Sequence, residues 1–137
     1  MQIFVQNRKF KKRISSYLVL LTLCLSPTWV FAKTVMVLGD SISAGYGIEP
    51  QQAWVNLLQK RLDQQYPKQH KVVNASVSGE TTSGALARLP KLLQTHKPNV
   101  VVIELGGNDG LRGQPPQKIQ KNLVQLIQQS QKANATV

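Results

Sequence analysis

Between residues 34 and 132 the spacing of apolar residues switches back and forth between two periods, and that alternation constrains the fold more than any other feature of the chain. Val35-Met36-Val37-Leu38, Val72-Val73 and Val100-Val101-Val102-Ile103 are short continuous apolar runs, as expected of strands covered on both faces in a parallel sheet. After each run the period becomes helical. Trp54, Leu57, Leu58 and Leu62 share one face, Leu86, Leu89, Leu92 and Leu93 a second, and Ile119, Leu123, Leu126 and Ile127 a third. Pro115-Pro116 suits the opening of the last helix, where a missing amide hydrogen leaves no helical bond unmade. The β-α-β-α-β-α order predicts an α/β fold with right-handed crossovers and helices on both faces of a parallel sheet. No repeat or linker divides this stretch. The glutamines between Gln114 and Gln131 read as the wet side of a helix, because the apolar stripe runs through them undisturbed.

The chain has 137 residues, and the first 32 read as an export signal. A basic opening (Arg8, Lys9, Lys11, Lys12, Arg13) leads into the apolar run from Tyr17 to Leu25, which Pro27 interrupts and Val30-Phe31-Ala32 closes. Cleavage is expected after Ala32, giving a signal peptide over 1–32, one domain over 33–137, and a periplasmic or secreted product. The run is too short for a membrane anchor, which needs about 20 apolar residues, so no stable membrane span is expected after cleavage. Cys24, the single cysteine, lies inside the leader. Leu23 occupies the position before it, where lipid attachment would want a small residue.

The net charge of +11 resembles a nucleic-acid signal until the leader is set aside. Without its five basic residues, 12 of the 17 Lys and Arg remain against 6 Asp and Glu, a balance of +6. Those twelve are scattered, Lys60-Arg61 is their only adjacent pair, and no aromatic residues interleave to stack on bases. They describe a solvated face, and no nucleic-acid partner is expected.

Chemistry concentrates in three strings, each immediately after a strand run: Gly39-Asp40-Ser41, Ser78-Gly79-Glu80 and Gly107-Asn108-Asp109. In open parallel sheets ligands bind beyond the carboxyl ends of the strands, where the strand order reverses. If the first strand lies between the other two, Ser41, Gly79 and Asn108 meet in one crevice. A serine just past a strand can hold its hydroxyl in the open as a nucleophile. An ester hydrolase also needs hydrogen-bond donors aimed at the oxyanion of the tetrahedral intermediate. The amides of Ser41 and Gly79 and the side-chain amide of Asn108 are suited to that. Each string alone also fits an ordinary turn or helix cap; their joint spacing carries the functional reading. Glu104 and Asp109 flank the third string and either tune it or order its loop, a structural role coming first. Glu80 reads as a helix-start charge.

These strings resemble the Gly-Asp-Ser-Leu esterases, or SGNH hydrolases. The first block stands here as VLGDSISAGYG, with Ile42 where the name-giving leucine usually sits, the second as NASVSGETTSGALARLP and the third as ELGGNDGLRG. The similarity covers nearly all of residues 34–132 and looks closest to the exported bacterial arylesterase, acyl-CoA thioesterase I and lysophospholipase group. It implies a flavodoxin-like three-layer sandwich and small-molecule ester, thioester or lysophospholipid substrates, with no cofactor and no metal. It also implies Ser41 as nucleophile, with Ser41, Gly79 and Asn108 forming the oxyanion hole.

The family's general base and triad acid lie in a late Asp-x-x-His block, and no such block is present. His70 and His96 both precede strands and so belong at the opposite end of the sheet. The flavodoxin-like order would add two further strands, one of them beside Val100–Ile103, whose edge would otherwise stay open. The sequence thus reads as the first part of a longer hydrolase. The alternative is an exported binding fragment without turnover.

Overall fold

The computed structural model describes residues 32–137. Residues 1–31 of the leader, Cys24 among them, lie outside the described residues. Three parallel strands, β1 (Lys33–Gly39), β2 (His70–Asn74) and β3 (Val100–Glu104), form a sheet in the order β2-β1-β3. The first strand is central, as the crevice argument requires. The ladders extend past the apolar runs: Lys33 pairs with His70 and Thr34 with Lys71 at one end, and Gly39 pairs with Glu104 at the other.

Among the described residues five α-helices connect and cover the strands: α1 (Ser41–Ala44), α2 (Trp54–Gln65), α3 (Thr82–His96), α4 (Gly107–Leu111) and α5 (Pro116–Lys132). Pro115 caps α5 and Pro116 opens it, as read from the sequence. Met36 and Leu38, alternate residues on one face of β1, are fully buried with Val101 against Ala85, Leu89 and Leu93 of α3 and Leu126 of α5. Val37 points to the opposite face and is equally buried. α2 packs against β2. Among the described residues no helix is long and apolar enough to cross a membrane.

The inward face of α2 differs from the expected one. Leu57 is 46% exposed, whereas Val55 is buried, so the covered stripe runs through Val55, Leu58 and Leu62. A polar residue explains the rotation. Gln59 accepts a hydrogen bond from the Val72 amide at 2.6 Å and donates to the His70 carbonyl at 3.1 Å. It thereby satisfies backbone groups of the edge strand that would otherwise face water.

The edge at β3 is partly paired. The Val101 amide donates to the Thr136 carbonyl and the Thr136 amide to the Asn99 carbonyl, a parallel bridge that the sequence did not suggest. Above it lies an open apolar groove of about 400 Å³ bordered by β3, Leu123, Ile127 and Val137.

Candidate active site

The three strings all sit at the carboxyl edge of the sheet. After Gly39 the chain leaves β1 and turns at once into α1. Asp40 is the N-cap, its Oδ1 accepting from the Ile42 amide at 3.0 Å, which is the role Asp favours there. Ser41 is the first residue of the helix and half-buried, and Gly45 closes the helix at φ 75°. Ile42, at the name-giving position of the first block, is 67% exposed.

Asp40 has a second task. Its Oδ2 accepts from the Asn108 Nδ2 at 3.1 Å, joining the turn after β1 to the turn after β3. One amide hydrogen of Asn108 is thereby directed at Asp40, and the geometry of a primary amide leaves its second hydrogen available. The side chain of Asn108 thus lies within reach of the residue that precedes Ser41.

Gly79 lies in the turn between β2 and α3 at φ 77°, in the left-handed region where a side chain is strained. Its carbonyl accepts from the Arg112 guanidinium at 2.9 Å, which links this turn to the end of α4. Among the described residues, neither the Ser41 nor the Gly79 amide has a hydrogen-bond acceptor.

Glu104 and Asp109 occupy separate places. Glu104, at the end of β3, accepts from the Ser43 hydroxyl at 2.9 Å, and Ser43 is fully buried in α1. The Ser43 carbonyl accepts from the Asn74 side chain at 2.8 Å, so α1 is anchored to both neighbouring strand ends. Asp109 is buried and accepts twice from Thr82, at the start of α3. Glu80 pairs with Arg88, eight residues further along, and also accepts from the Thr81 amide, close to the helix-start role read for it. Asn74 and Asn122 were missed from the sequence: Asn74 matches a glycosylation pattern that hides its role, and Asn122 sits among the glutamines of α5 yet reaches Thr82.

The two histidines of the chain are far from this edge. His70 begins β2, its Nδ1 accepts from the Lys33 amide, and its ring meets Tyr66 edge-on. Lys33 is six residues before Gly39 along β1, about 20 Å at strand spacing. His96 ends α3 just before β3 begins. Among the described residues no cluster of His, Cys, Asp or Glu could hold a metal ion.

A parallel sheet with a capped serine turn, a left-handed glycine turn and an asparagine turn at one edge defines an α/β protein whose candidate site lies at the carboxyl ends of its strands. The sequence profile of the GDSL-like lipase/acylhydrolase family matches residues 37–137, and the chain belongs to that family. It is 52% identical over 118 residues to esterase TesA of Pseudomonas aeruginosa, covering 85% of this chain and 58% of that protein. It is 46% identical over 119 residues to the thioesterase 1/protease 1/lysophospholipase L1 of Escherichia coli, covering 87% of this chain and 53% of that protein. A crystal structure of the psychrotrophic esterase EstA from Pseudoalteromonas sp., inhibited by monoethylphosphonate, superposes with a TM-score of 0.71 at 50% identity over 75% of this chain and 56% of that one. The chain thus spans a little over half the length of the relatives it matches.

Proposed function

We propose that this chain carries the nucleophile and oxyanion hole of a serine hydrolase acting on carboxylic esters and acyl thioesters, of arylesterase, thioesterase or lysophospholipase type. Ser41 attacks the acyl carbonyl and gives its proton to a histidine. The oxyanion takes hydrogen bonds from the Ser41 and Gly79 amides and the Asn108 side chain. Collapse breaks the bond to the alcohol or thiol, which leaves with the proton, and the acyl group stays on Ser41 until water displaces it. No metal or cofactor takes part in these steps.

One observation carries the reading: Asp40 caps the helix that begins with Ser41 and at the same time holds the Asn108 amide. An ordinary cap needs only the first bond. The inhibition of a relative by monoethylphosphonate supports the same assignment, since a tetrahedral phosphonate resembles the tetrahedral intermediate of ester hydrolysis.

The proton acceptor in this reading is a histidine other than the two present here, with its supporting acid. His70 and His96 stand at the wrong end of the sheet to serve Ser41. Residues 1–32 are assigned as the export signal, with a periplasmic or secreted product. The test is turnover of a p-nitrophenyl acyl ester by the protein as its gene encodes it, with Ser41→Ala as control. Loss of the nucleophile should lower kcat by roughly 10⁴-fold or more. Hydrolysis by the Ser41→Ala protein at the unaltered rate would overturn the assignment. A folded wild type without turnover would favour the binding fragment.

A further inference from the structure

The acyl-enzyme reading explains Ser41, Gly79 and Asn108, but not why the residue after Asn108 is a buried acid. Asp109 is 1% exposed, and both of its oxygens are occupied by one residue. Oδ2 accepts from the Thr82 amide at 2.8 Å and Oδ1 from the Thr82 hydroxyl at 2.6 Å. Thr82 is itself fully buried, and its hydroxyl also accepts from Asn122 of α5 at 2.9 Å. The carboxylate sits over the first turn of the fifteen-residue α3, where aligned amides favour a negative charge.

The positions of the two partners matter more than the strength of the bonds. Asp109 directly follows Asn108, and Thr82 lies three residues after Gly79. A second tie runs the other way, from the Arg112 guanidinium to the Gly79 carbonyl at 2.9 Å, while the Arg112 amide donates to the Asn108 carbonyl at 3.1 Å. Asn108, Asp109, Thr82, Gly79 and Arg112 therefore form a closed ring of covalent segments and hydrogen bonds. A ring of this kind fixes the distance between two turns that are otherwise joined only through the sheet.

We propose that Asp109 and Thr82 form a positioning clamp that holds the Gly79 turn in register with the Asn108 side chain, so that the two donors meet one oxyanion. Neither residue touches the reacting atoms. Both act through their neighbours, and the inference rests on the oxyanion-hole assignment above. A displacement near 1 Å at a catalytic group costs about 10²-fold in rate, and losing one oxyanion donor costs about 10²–10³-fold in kcat. Thr82→Val keeps the amide bond to Asp109 and removes the hydroxyl's bonds to Asp109 and Asn122, so a partial effect on kcat is expected.

The experiment is a double-mutant cycle in the protein as its gene encodes it, with ester turnover, thermal unfolding and fluorophosphonate labelling of Ser41 as readouts. Thr82→Val should lower kcat by roughly 10–10²-fold with KM within about 3-fold, and Thr82→Ser should restore it. In an Asn108→Ala background, Thr82→Val should cost at most about 3-fold more, because the partner it aligns is gone. If Thr82→Val does not fold, Asp109→Asn replaces it with the same expectations. A variant with a lowered unfolding midpoint but wild-type kcat would overturn the clamp, as would an equal loss in both backgrounds. A wild type unreactive at Ser41 would overturn the acyl-enzyme reading and the clamp together, whereas a reactive wild type with an indifferent Thr82→Val would overturn the clamp alone.

Discussion

Gly39→Ala should damage both stability and chemistry, because the space beside Gly39 is already taken by the bond that anchors α1. A methyl group there would lie 2.6 Å from the Ser43 Oγ and 2.7 Å from its Cβ, with the Glu104 Oε2 at 3.0 Å. Ordinary contact begins at 3.4 Å, so Ser43 must retreat by about 0.8 Å, and α1 with it. Overpacking of this kind costs about 1–3 kcal/mol. Drawing the Ser43 hydroxyl away from Glu104 leaves a part-buried carboxylate without its donor, about 1–3 kcal/mol more. A loss of about 2–6 kcal/mol is therefore expected in urea unfolding. Ser41 rides on the same four-residue helix, so its rate of labelling by a fluorophosphonate should fall by about 10²-fold. Ser43→Gly in the same chain removes both colliding atoms at a helix cost of about 1 kcal/mol, and should recover most of the labelling rate. A Gly39→Ala protein within about 0.5 kcal/mol of wild type, with unaltered labelling, would refute the reasoning.

Other consequences are equally direct. Asp40→Ala removes a helix cap, about 1 kcal/mol, and releases the Asn108 amide, so ester turnover should fall by more than the modest loss in unfolding free energy suggests. Gly79→Val forces a branched side chain into a left-handed conformation, and a lower kcat together with a destabilisation of about 1–3 kcal/mol is expected from kinetics and urea melts. Leu89→Ala empties the centre of the cluster between α3 and β1 and should cost about 2–5 kcal/mol in urea unfolding. His70→Ala should leave ester kinetics within about 2-fold of wild type, since the ring lies at the opposite edge of the sheet from Ser41.

What could be read from the sequence divides along a physical line. Strand runs, helix periods and the Pro115-Pro116 start are local signals, and each reappears in the fold. The three site strings were legible for the same reason: strand ends that turn sharply need glycine, a capping acid or an amide within a few residues. Their placement along one edge of the sheet followed from the parallel order with β1 in the centre. The carboxylates were not legible in this way. Asp40 finds Asn108 at a separation of 68 residues, Glu104 finds Ser43 at 61, and Asp109 finds Thr82 at 27. No local pattern specifies such partners. The rotation of α2 failed for a related reason, since Gln59 reads as polar and solvent-facing until the bare edge of β2 is beside it. The short α4, with two glycines among five residues, reads as a loop by propensity, and Asp109 and Arg112 tie it to the neighbouring turn.

The account rests on Ser41 being an activated nucleophile, and the most direct measurement is the site of a fluorophosphonate adduct in the native protein, found by intact mass and peptide mapping. One adduct on the peptide carrying Ser41, absent from Ser41→Ala, is the expected result. Ester turnover with the adduct on another residue, or with no adduct, would contradict the account.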